Sequence, residues 1–313
     1  MKKILLAIAI LLVLLLAALY LLIPGKIRIV QRQDIGINQP ALTRNLSNER
    51  NWKQWWPGEI QGTDSSPVYL LNGLQFQLHD VKILSLPIRI TGSNVSLPAE
   101  LMMVALNPDS VNIQVNSSIT TTSNPLTRIR AYLMARKIKK EFSTIFQSIS
   151  TYYAETKNLY GYDIRNRSVV DSILLMNVRE TKGYPSTKDI YELVDELKTY
   201  IKKQGATETG YPMLNIFTKD SINYQLKVAI PTDKKLPSSG NMSYRWMLGG
   251  GNILITEVTG DLKEIEKAYR QIHLYISDHK RVAPAIPFES LVTDRRLEPD
   301  SSKWVTRIYY PVM

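Results

Sequence analysis

The hydrophobic pattern begins with an unbroken apolar run over residues 4–23, preceded by Lys2 and Lys3. At about 1.5 Å per residue, a helix of this length covers roughly 30 Å, the thickness of a bilayer's hydrocarbon core. A secretory signal peptide is the competing interpretation, but its apolar region is usually shorter and ends at a small-x-small cleavage site. The run ends in Leu21-Leu22-Ile23-Pro24-Gly25 without such a site. The pattern therefore favours an uncleaved membrane anchor over residues 1–25.

The charges that flank this run bear on its orientation. Lys2 and Lys3 favour a cytoplasmic N-terminus, whereas Lys26 and Arg28 flank the opposite end. Since an excess of Lys and Arg marks the cytoplasmic side, we expect the soluble part of the chain to lie outside the cytoplasm.

Residues 26–168 combine a strand-rich pattern with one long helix. A helical stretch opens at Pro40 and ends in Trp52, Trp55 and Trp56, which form either a hydrophobic plug or the wall of a ligand cavity. After Asn124 the apolar spacing changes to three and four, which predicts one long amphipathic helix. The predicted strands show alternation and are separated by turn residues: Ile27 and Ile29; Leu74, Phe76 and Leu78; Ile88 and Ile90; Val111, Ile113 and Val115.

This order of a strand, short helices, several strands and one long helix is that of the helix-grip fold. The segment Asn51-Trp52-x-x-Trp55-Trp56-Pro57 resembles the tryptophan-rich stretch of many proteins of the SRPBCC superfamily, of START-like polyketide cyclase type. The resemblance implies an antiparallel sheet curved around the long helix, with a cavity for an apolar ligand. It carries over no catalytic residue, because the superfamily shares none.

Residues 169–313 contain an internal duplication. Each copy is predicted as a strand, an amphipathic helix and two further strands. Two β-α-β-β copies predict a pseudo-two-fold α+β domain, with a ligand site on the pseudo-axis between its two sheets. The matching pairs, all 75 positions apart, are Lys188 and Lys263, Ile190 and Ile265, Tyr200 and Tyr275, and Pro212 and Pro287.

Glu289 is the most chemically informative residue of the duplication, because its apolar neighbours Ile286, Phe288 and Leu291 predict a buried strand. A buried carboxylate must be paired, protonated or directed at a ligand. Its counterpart in the first copy is Leu214, so the fold does not require a charge at this position. The alternative to a ligand contact is a surface carboxylate or a salt bridge, with Arg307 as the candidate partner.

Aromatic side chains of this half are candidates to line the same cleft. An aromatic face attracts an organic cation by roughly 0.5–2 kcal/mol. The candidates are Tyr184, Tyr211, Tyr224, Trp246, Trp304 and Tyr309.

The second copy resembles the GyrI-like domain (SOUL/GyrI type), the effector-binding module of multidrug-responsive transcription activators. The resemblance rests on Gly260, on Pro287-Phe288-Glu289 and on the closing segment 306–312, besides the duplication itself. It implies that Glu289 engages hydrophobic or cationic amphipathic ligands in an aromatic cleft. Some relatives hydrolyse small strained molecules with the glutamate and a tyrosine, so Glu289 is also the candidate catalytic residue, as general base. No tyrosine can be assigned that role from the sequence.

Charge and composition limit the classes of binding partner that we expect for this chain. The net charge of +11 is partly local, since six cations occur between Arg128 and Lys140 without an acidic residue. This run is either a solvated helix face or a contact for anionic lipid headgroups. No helix-turn-helix, zinc-finger or RNP-like pattern accompanies it, so we expect no nucleic-acid partner and no transcription-factor role.

The absence of cysteine excludes disulfides, thiol catalysis and Cys-ligated zinc, and the three histidines lack ligand spacing. We expect neither a metal nor a cofactor.

Three functions remain open at this point. The leading prediction is a membrane-anchored small-molecule-binding protein. The alternatives are a hydrolase of small strained or xenobiotic molecules and a lipid-handling or structural membrane protein.

Overall fold

The computed structural model describes residues 2–63, 66–79, 85–93, 95–170, 172–247 and 249–313. The chain divides into two units, Met1–Glu155 and Thr156–Met313. This division precedes the boundary expected after residue 168. The reason is that the strand Arg165–Ser168 pairs with the strand Asn252–Thr259, deep in the second unit.

The chain begins with the helix α1 (Lys2–Leu22), which buries none of its residues. It is long and apolar enough to cross a membrane, and a signal sequence near an N-terminus meets the same criteria.

The rest of the first unit is built on an antiparallel sheet. Its described strands run in the order β1-β7-β6-β5-β4-β3-β2. The strands are β1 (Lys26–Ile35), β2 (Glu59–Thr63), β3 (Ser66–Leu71), β4 (Leu74–Leu78), β5 (Ser85–Gly92), β6 (Val95–Asn107) and β7 (Ser110–Thr120), and the helices are α2 (Gln39–Leu46) and α3 (Pro125–Tyr152).

The helix α3 starts where the apolar spacing changes. The Asn124 side chain caps it by accepting hydrogen bonds from the backbone N–H groups of Leu126 and Thr127, and Pro125 occupies the first turn. Both residue types favour a helix start at these positions. The C-terminal two-thirds of α3 bury one stripe, which includes Ile138, Phe142 and Ile149.

The tryptophan-rich segment is a hydrophobic plug in this unit. Trp52, Trp55 and Trp56 are all buried. The rings of Trp52 and Trp56 stack with centroids 5.9 Å apart, and Trp56 also meets Phe76 edge-on. The Trp52 indole N–H donates to the Leu46 carbonyl at 2.8 Å, so its polar edge is satisfied inside the core.

The second unit is a continuous antiparallel sheet with two helices packed on it. Its described strands run in the order β12-β9-β11-β10-β14-β15-β13-β8. The helices are α4 (Thr156–Tyr160), α5 (Thr187–Lys203) and α6 (Leu262–Asp278), and the strands are β8 (Arg165–Ser168), β9 (Ser172–Lys182), β10 (Met213–Thr218), β11 (Asn223–Thr232), β12 (Met242–Met247), β13 (Asn252–Thr259), β14 (Phe288–Leu291) and β15 (Val305–Val312).

The two sequence copies fold as β9-α5-β10-β11 and β13-α6-β14-β15. They do not form two separate sheets. Instead β10 pairs with β14 and joins them into one, with Leu214 opposite Glu289. The expectation of a site between two sheets is therefore wrong, because the pseudo-axis crosses a single sheet.

This sheet has a helix face and an open face. Leu214, Leu226 and Val228 point to the helix face, where they join the buried core around α5. Their neighbours Met213 and Ala229 point to the open face and cluster with Phe288. The alternation follows from the two-residue period of a strand.

Candidate functional site

The candidate site lies on the helix face, where the two copies meet. Leu214 and Glu289 are directly opposite each other in the β10–β14 pair, so their side chains share one face. Since they are also counterparts in the duplication, the pseudo-two-fold axis passes between them. Leu214 is 2% exposed, whereas the Glu289 side chain keeps 15% of its surface exposed.

The ionic partner of Glu289 is Arg295, which follows β14. Its Nη2 lies 3.7 Å from Glu289 Oε2, longer than a hydrogen bond. The same Nη2 donates to Thr306 Oγ1 at 3.0 Å, and the guanidinium carbon lies 5.1 Å from the centre of the Trp304 ring. The backbone N–H of Arg295 donates to the Tyr191 hydroxyl on α5 at 2.9 Å. These contacts fix Arg295 beside Glu289 without a close ion pair between them.

The prediction that Arg307 is the ionic partner of Glu289 is wrong. Its Nε contacts Glu257 Oε2 at 2.8 Å. Ile308 is the residue of β15 that pairs with Glu289, so its neighbour Arg307 points to the open face.

Burial raises the pKa of Glu289, and the nearby charge of Arg295 opposes this rise without cancelling it. The physical cause is that a poorly solvated carboxylate favours its neutral form.

Two tyrosines lie close enough to Glu289 for its charge to raise their pKa. Partial burial, followed by that charge, raises the pKa of Tyr184 to about 12. The same two causes raise the pKa of Tyr269 on α6. Tyr184 has 52% of its surface exposed, and its ring contacts that of Tyr224 edge-on with ring centres 5.6 Å apart.

Tyr224 and Trp304 are themselves counterparts. Val228 pairs with Leu214 as Ile308 pairs with Glu289, so the residues four positions earlier, Tyr224 and Trp304, occupy equivalent places. We call the set formed by Tyr184, Tyr224, Tyr269, Glu289, Arg295 and Trp304 the Glu289 cluster.

The other three aromatic candidates lie on the open face. Tyr309 stacks on Phe288 with ring centres 4.9 Å apart, and Tyr211 lines a cleft with both of them. Trp246 lines an apolar groove of about 500 Å³ on this face. Because Phe288 and Glu289 are adjacent in one strand, their surroundings are separated by the sheet.

Sequence reasoning omitted Arg295 and Tyr269 from the site. Tyr269 belongs to the apolar stripe of its helix and resembles an ordinary core residue in sequence. Arg295 stands in Asp294-Arg295-Arg296, which is typical of a solvated loop. The one signal in the sequence was Glu289 itself, because a buried carboxylate is stable only with a cation or hydrogen-bond donor nearby.

The cluster combines a carboxylate of raised pKa with aromatic faces, which is the chemistry that attracts an organic cation or supplies a general base. Within the described ranges, no group of three or more His, Asp or Glu side chains is arranged to hold a metal ion.

Comparison with known proteins finds similarity in solved structures. No family model matches the chain, and no curated protein matches it. The C-terminal domain of EcmrR is 16% identical over 49% of this chain and 98% of that domain, with a TM-score of 0.43. A hydrolase from Listeria innocua is 12% identical over 48% of this chain and 91% of its own, with a TM-score of 0.38. SAV2435 bound to tetraphenylphosphonium is 14% identical over 48% of this chain and 93% of its own, with a TM-score of 0.31. At these values the similarity assigns neither a family nor a function.

Proposed function

We propose that this chain is a membrane-anchored small-molecule-binding protein, whose second unit is of GyrI-like type and takes hydrophobic or cationic amphipathic ligands at the Glu289 cluster. The carrying observation is the pair Leu214 and Glu289 on the pseudo-axis. The leucine shows that the fold does not need a charge there, and burying a carboxylate is costly. A role in recognition accounts for a charge that the fold does not require.

The contacts of the cluster support a cationic ligand. Arg295 is held by Thr306 and Trp304 at a distance that leaves the Glu289 carboxylate without a direct hydrogen bond from it. An organic cation would complete this ion pairing while its apolar groups lie against the rings of Tyr184 and Tyr224. Tyr184 is the exposed member of the cluster, so we propose that it swings aside to admit the ligand.

The remaining parts of the proposal concern the first unit. Residues 4–23 anchor the chain in a membrane, with the soluble part outside the cytoplasm, and the rest of the first unit, residues 26–155, forms an SRPBCC-type helix-grip domain that holds a second apolar ligand. The strand order and the long helix α3 support this. A cleft of about 650 Å³ between α3, β6 and β7, lined by residues that include Leu97, Ile119 and Met134, offers such a ligand a place.

The test is calorimetric titration of the full chain in lipid nanodiscs with tetraphenylphosphonium, corrected with empty nanodiscs. We expect Glu289→Gln to weaken binding about tenfold or more, equivalent to ~1.4 kcal/mol. Glu257→Gln is the matched control, since it removes a carboxylate from an exposed ion pair on the open face. Equal affinity in wild type and Glu289→Gln would show that Glu289 does not contact the ligand.

Hydrolysis is the second candidate, favoured by the raised pKa of Glu289 and by the tyrosine hydroxyls that sense its charge. A general base works best when its pKa lies near the working pH. Turnover of small strained electrophiles, lost in Glu289→Gln and kept in Glu257→Gln, would favour a hydrolase over a binding protein.

A lipid-handling role is the third candidate, and the cleft beside α3 is the observation that favours it. Mass spectrometry of the full chain tests it: a lipid that co-purifies equally with wild type and Glu289→Gln would favour a lipid site away from Glu289, and tetraphenylphosphonium binding that is absent from both would favour lipid handling over small-molecule binding.

A further inference from the structure

The end of α1 and the start of α3 are fastened to each other. Arg128 Nη1 donates to the Ile23 carbonyl at 3.0 Å, and its guanidinium lies 4.3 Å from the centre of the Tyr20 ring. The Tyr20 hydroxyl in turn donates to the Ser123 carbonyl. The first turns of α3 are therefore level with Tyr20, in the last turn of the apolar helix, where aromatic residues mark the interface of a membrane.

These first turns expose apolar side chains. Leu126, Ile129 and Leu133 are 64%, 38% and 57% exposed. Their spacing of three and four puts them on one stripe. At about 100° per residue, this stripe lies roughly opposite the one that Ile138 and Phe142 bury against the sheet. Leu126 and Ile129 therefore face away from the protein core, and Leu133 lies at the edge of the cleft between α3, β6 and β7.

Cations flank the exposed stripe. Arg136 lies beside Ile129 on one flank of this stripe, and Arg130 and Lys137 lie on the other flank, where they also line the cleft between α3, β6 and β7. No acidic residue occurs from Pro125 to Lys140. Glu141, the first acid along the helix, is buried and accepts a hydrogen bond from Asn72 Nδ2 at 2.8 Å. It lies one turn after Lys137, on the side of α3 that packs against the protein, so the exposed stripe of residues 126–133 has no acidic neighbour on its own helix. A stripe of apolar residues between cations is the pattern of a helix that lies in the interface of an anionic membrane.

We propose that the segment 126–137 of α3 lies in the headgroup layer of the membrane that α1 enters, with Leu126 and Ile129 among the acyl chains and Arg130, Arg136 and Lys137 against anionic phospholipid headgroups. This inference rests on the proposed anchoring by residues 4–23. The continuity with α1 and the charge of the surface together select a lipid bilayer as its partner. Binding to this surface holds the first unit against the membrane.

Single cysteines test the position of α3 cleanly, because the chain contains no cysteine of its own. Spin labels at Leu126→Cys and Ile129→Cys are compared with a label at Leu106→Cys in the full chain, reconstituted in phosphatidylcholine vesicles with phosphatidylglycerol. Leu106 is a matched control, since it is 53% exposed and lies at the end of β6 remote from Lys26 and Thr120. We expect the labels at 126 and 129 to be more accessible to oxygen than to a water-soluble nickel chelate, with the reverse at 106. Water-like accessibility at all three positions would overturn the proposal.

The headgroup contact is tested with charge variants. Arg130→Gln/Arg136→Gln/Lys137→Gln should reduce the immersion of the 129 label and abolish its dependence on phosphatidylglycerol. The control Lys188→Gln/Lys202→Gln/Lys203→Gln changes the net charge equally on exposed sites of the second unit and should leave the label unchanged. Equal immersion in both triple variants would overturn the role of these three cations.

Carbonate extraction of the same vesicles reports separately on the anchor. A chain that stays with the lipid while the 126 and 129 labels are water-accessible keeps the anchor and rejects the interfacial helix. A chain that is extracted rejects the anchor. Neither outcome changes the tetraphenylphosphonium titration, so failure at Glu289 is distinguished from failure at α3.

Discussion

The two copies of the β-α-β-β unit share a fold and differ at its centre. Leu214 and Glu289 occupy one equivalent position, paired across β10 and β14. The first copy fills its position with an aliphatic side chain that packs into the α5 core, while the second places a carboxylate among aromatic rings. The fold therefore determines where this side chain lies but does not require it to be charged.

The loops explain how the second copy accommodates that charge. In the first copy, residues 219–222 connect β10 to β11. In the second, the longer segment 292–304 connects β14 to β15 and carries Arg295. Arg295 reaches Glu289 from this segment and is fastened to Tyr191 on the first copy's helix. The second copy therefore contains both the carboxylate and the cation that lies beside it.

The largest expected effect follows from making the first copy resemble the second. Leu214→Glu buries a carboxylate that has no Arg295 counterpart, and we expect it to lower the free energy of unfolding of the second unit by about 3 kcal/mol or more. Leu214→Met, which conserves volume, should cost less than about 1.5 kcal/mol. Urea unfolding of both variants measures the difference, and equal stabilities would refute the assignment of Leu214 to a sealed core.

The reverse exchange should have a smaller effect. Glu289→Leu leaves Arg295 buried without its carboxylate, and we expect a loss of about 2 kcal/mol in the free energy of unfolding. Adding Arg295→Met removes the stranded charge and should recover most of that loss. The double-mutant cycle measures the coupling of the two residues. Additive losses would mean that the pair is not coupled in the folded state.

The aromatic members of the cluster should contribute less still. Tyr184→Leu removes a ring beside the ligand, and we expect it to weaken tetraphenylphosphonium binding by about 0.5–2 kcal/mol. Tyr211→Leu, a comparably exposed tyrosine on the open face, should leave affinity unchanged. Calorimetry of both variants shows on which face of the sheet the ligand binds. A larger loss of affinity in Tyr211→Leu than in Tyr184→Leu would assign the ligand to the open face.

The smallest expected effect is a pH dependence of stability. The folded-state pKa of Glu289 lies above its ordinary value of 4.5 because of burial, so folding favours the neutral form of this side chain more than water does. Its contribution is present below about pH 4.5 and is lost as the pH rises through the folded pKa. Wild type should therefore lose stability relative to Glu289→Gln as the pH rises from about 4 to 8, and a constant difference would contradict a raised pKa.

The sequence predicts the elements of the second unit better than it predicts the site. The strand and helix periods place β9, α5, β13 and α6 close to their observed positions, because each element repeats its own apolar spacing. Which face a strand residue occupies relative to another strand depends on register, which no local pattern specifies. Tyr309 is an instance, since its pairing with Phe288 puts it across the sheet from Glu289. Arg295 comes from a loop, whose path depends on tertiary contacts such as the one with Tyr191.

Proton release upon ligand binding tests the central claim most directly. Calorimetric titration of the full chain with tetraphenylphosphonium, in buffers of different ionisation enthalpy and at several pH values above about 4.5, counts the protons released. A cation that pairs with the Glu289 carboxylate favours its ionised form, so binding lowers the pKa of Glu289 and releases protons from the fraction that is protonated. Wild type should therefore release protons across the pH range in which free Glu289 is partly protonated, while Glu289→Gln releases none. The same proton release in both proteins, or none in either, would contradict the account.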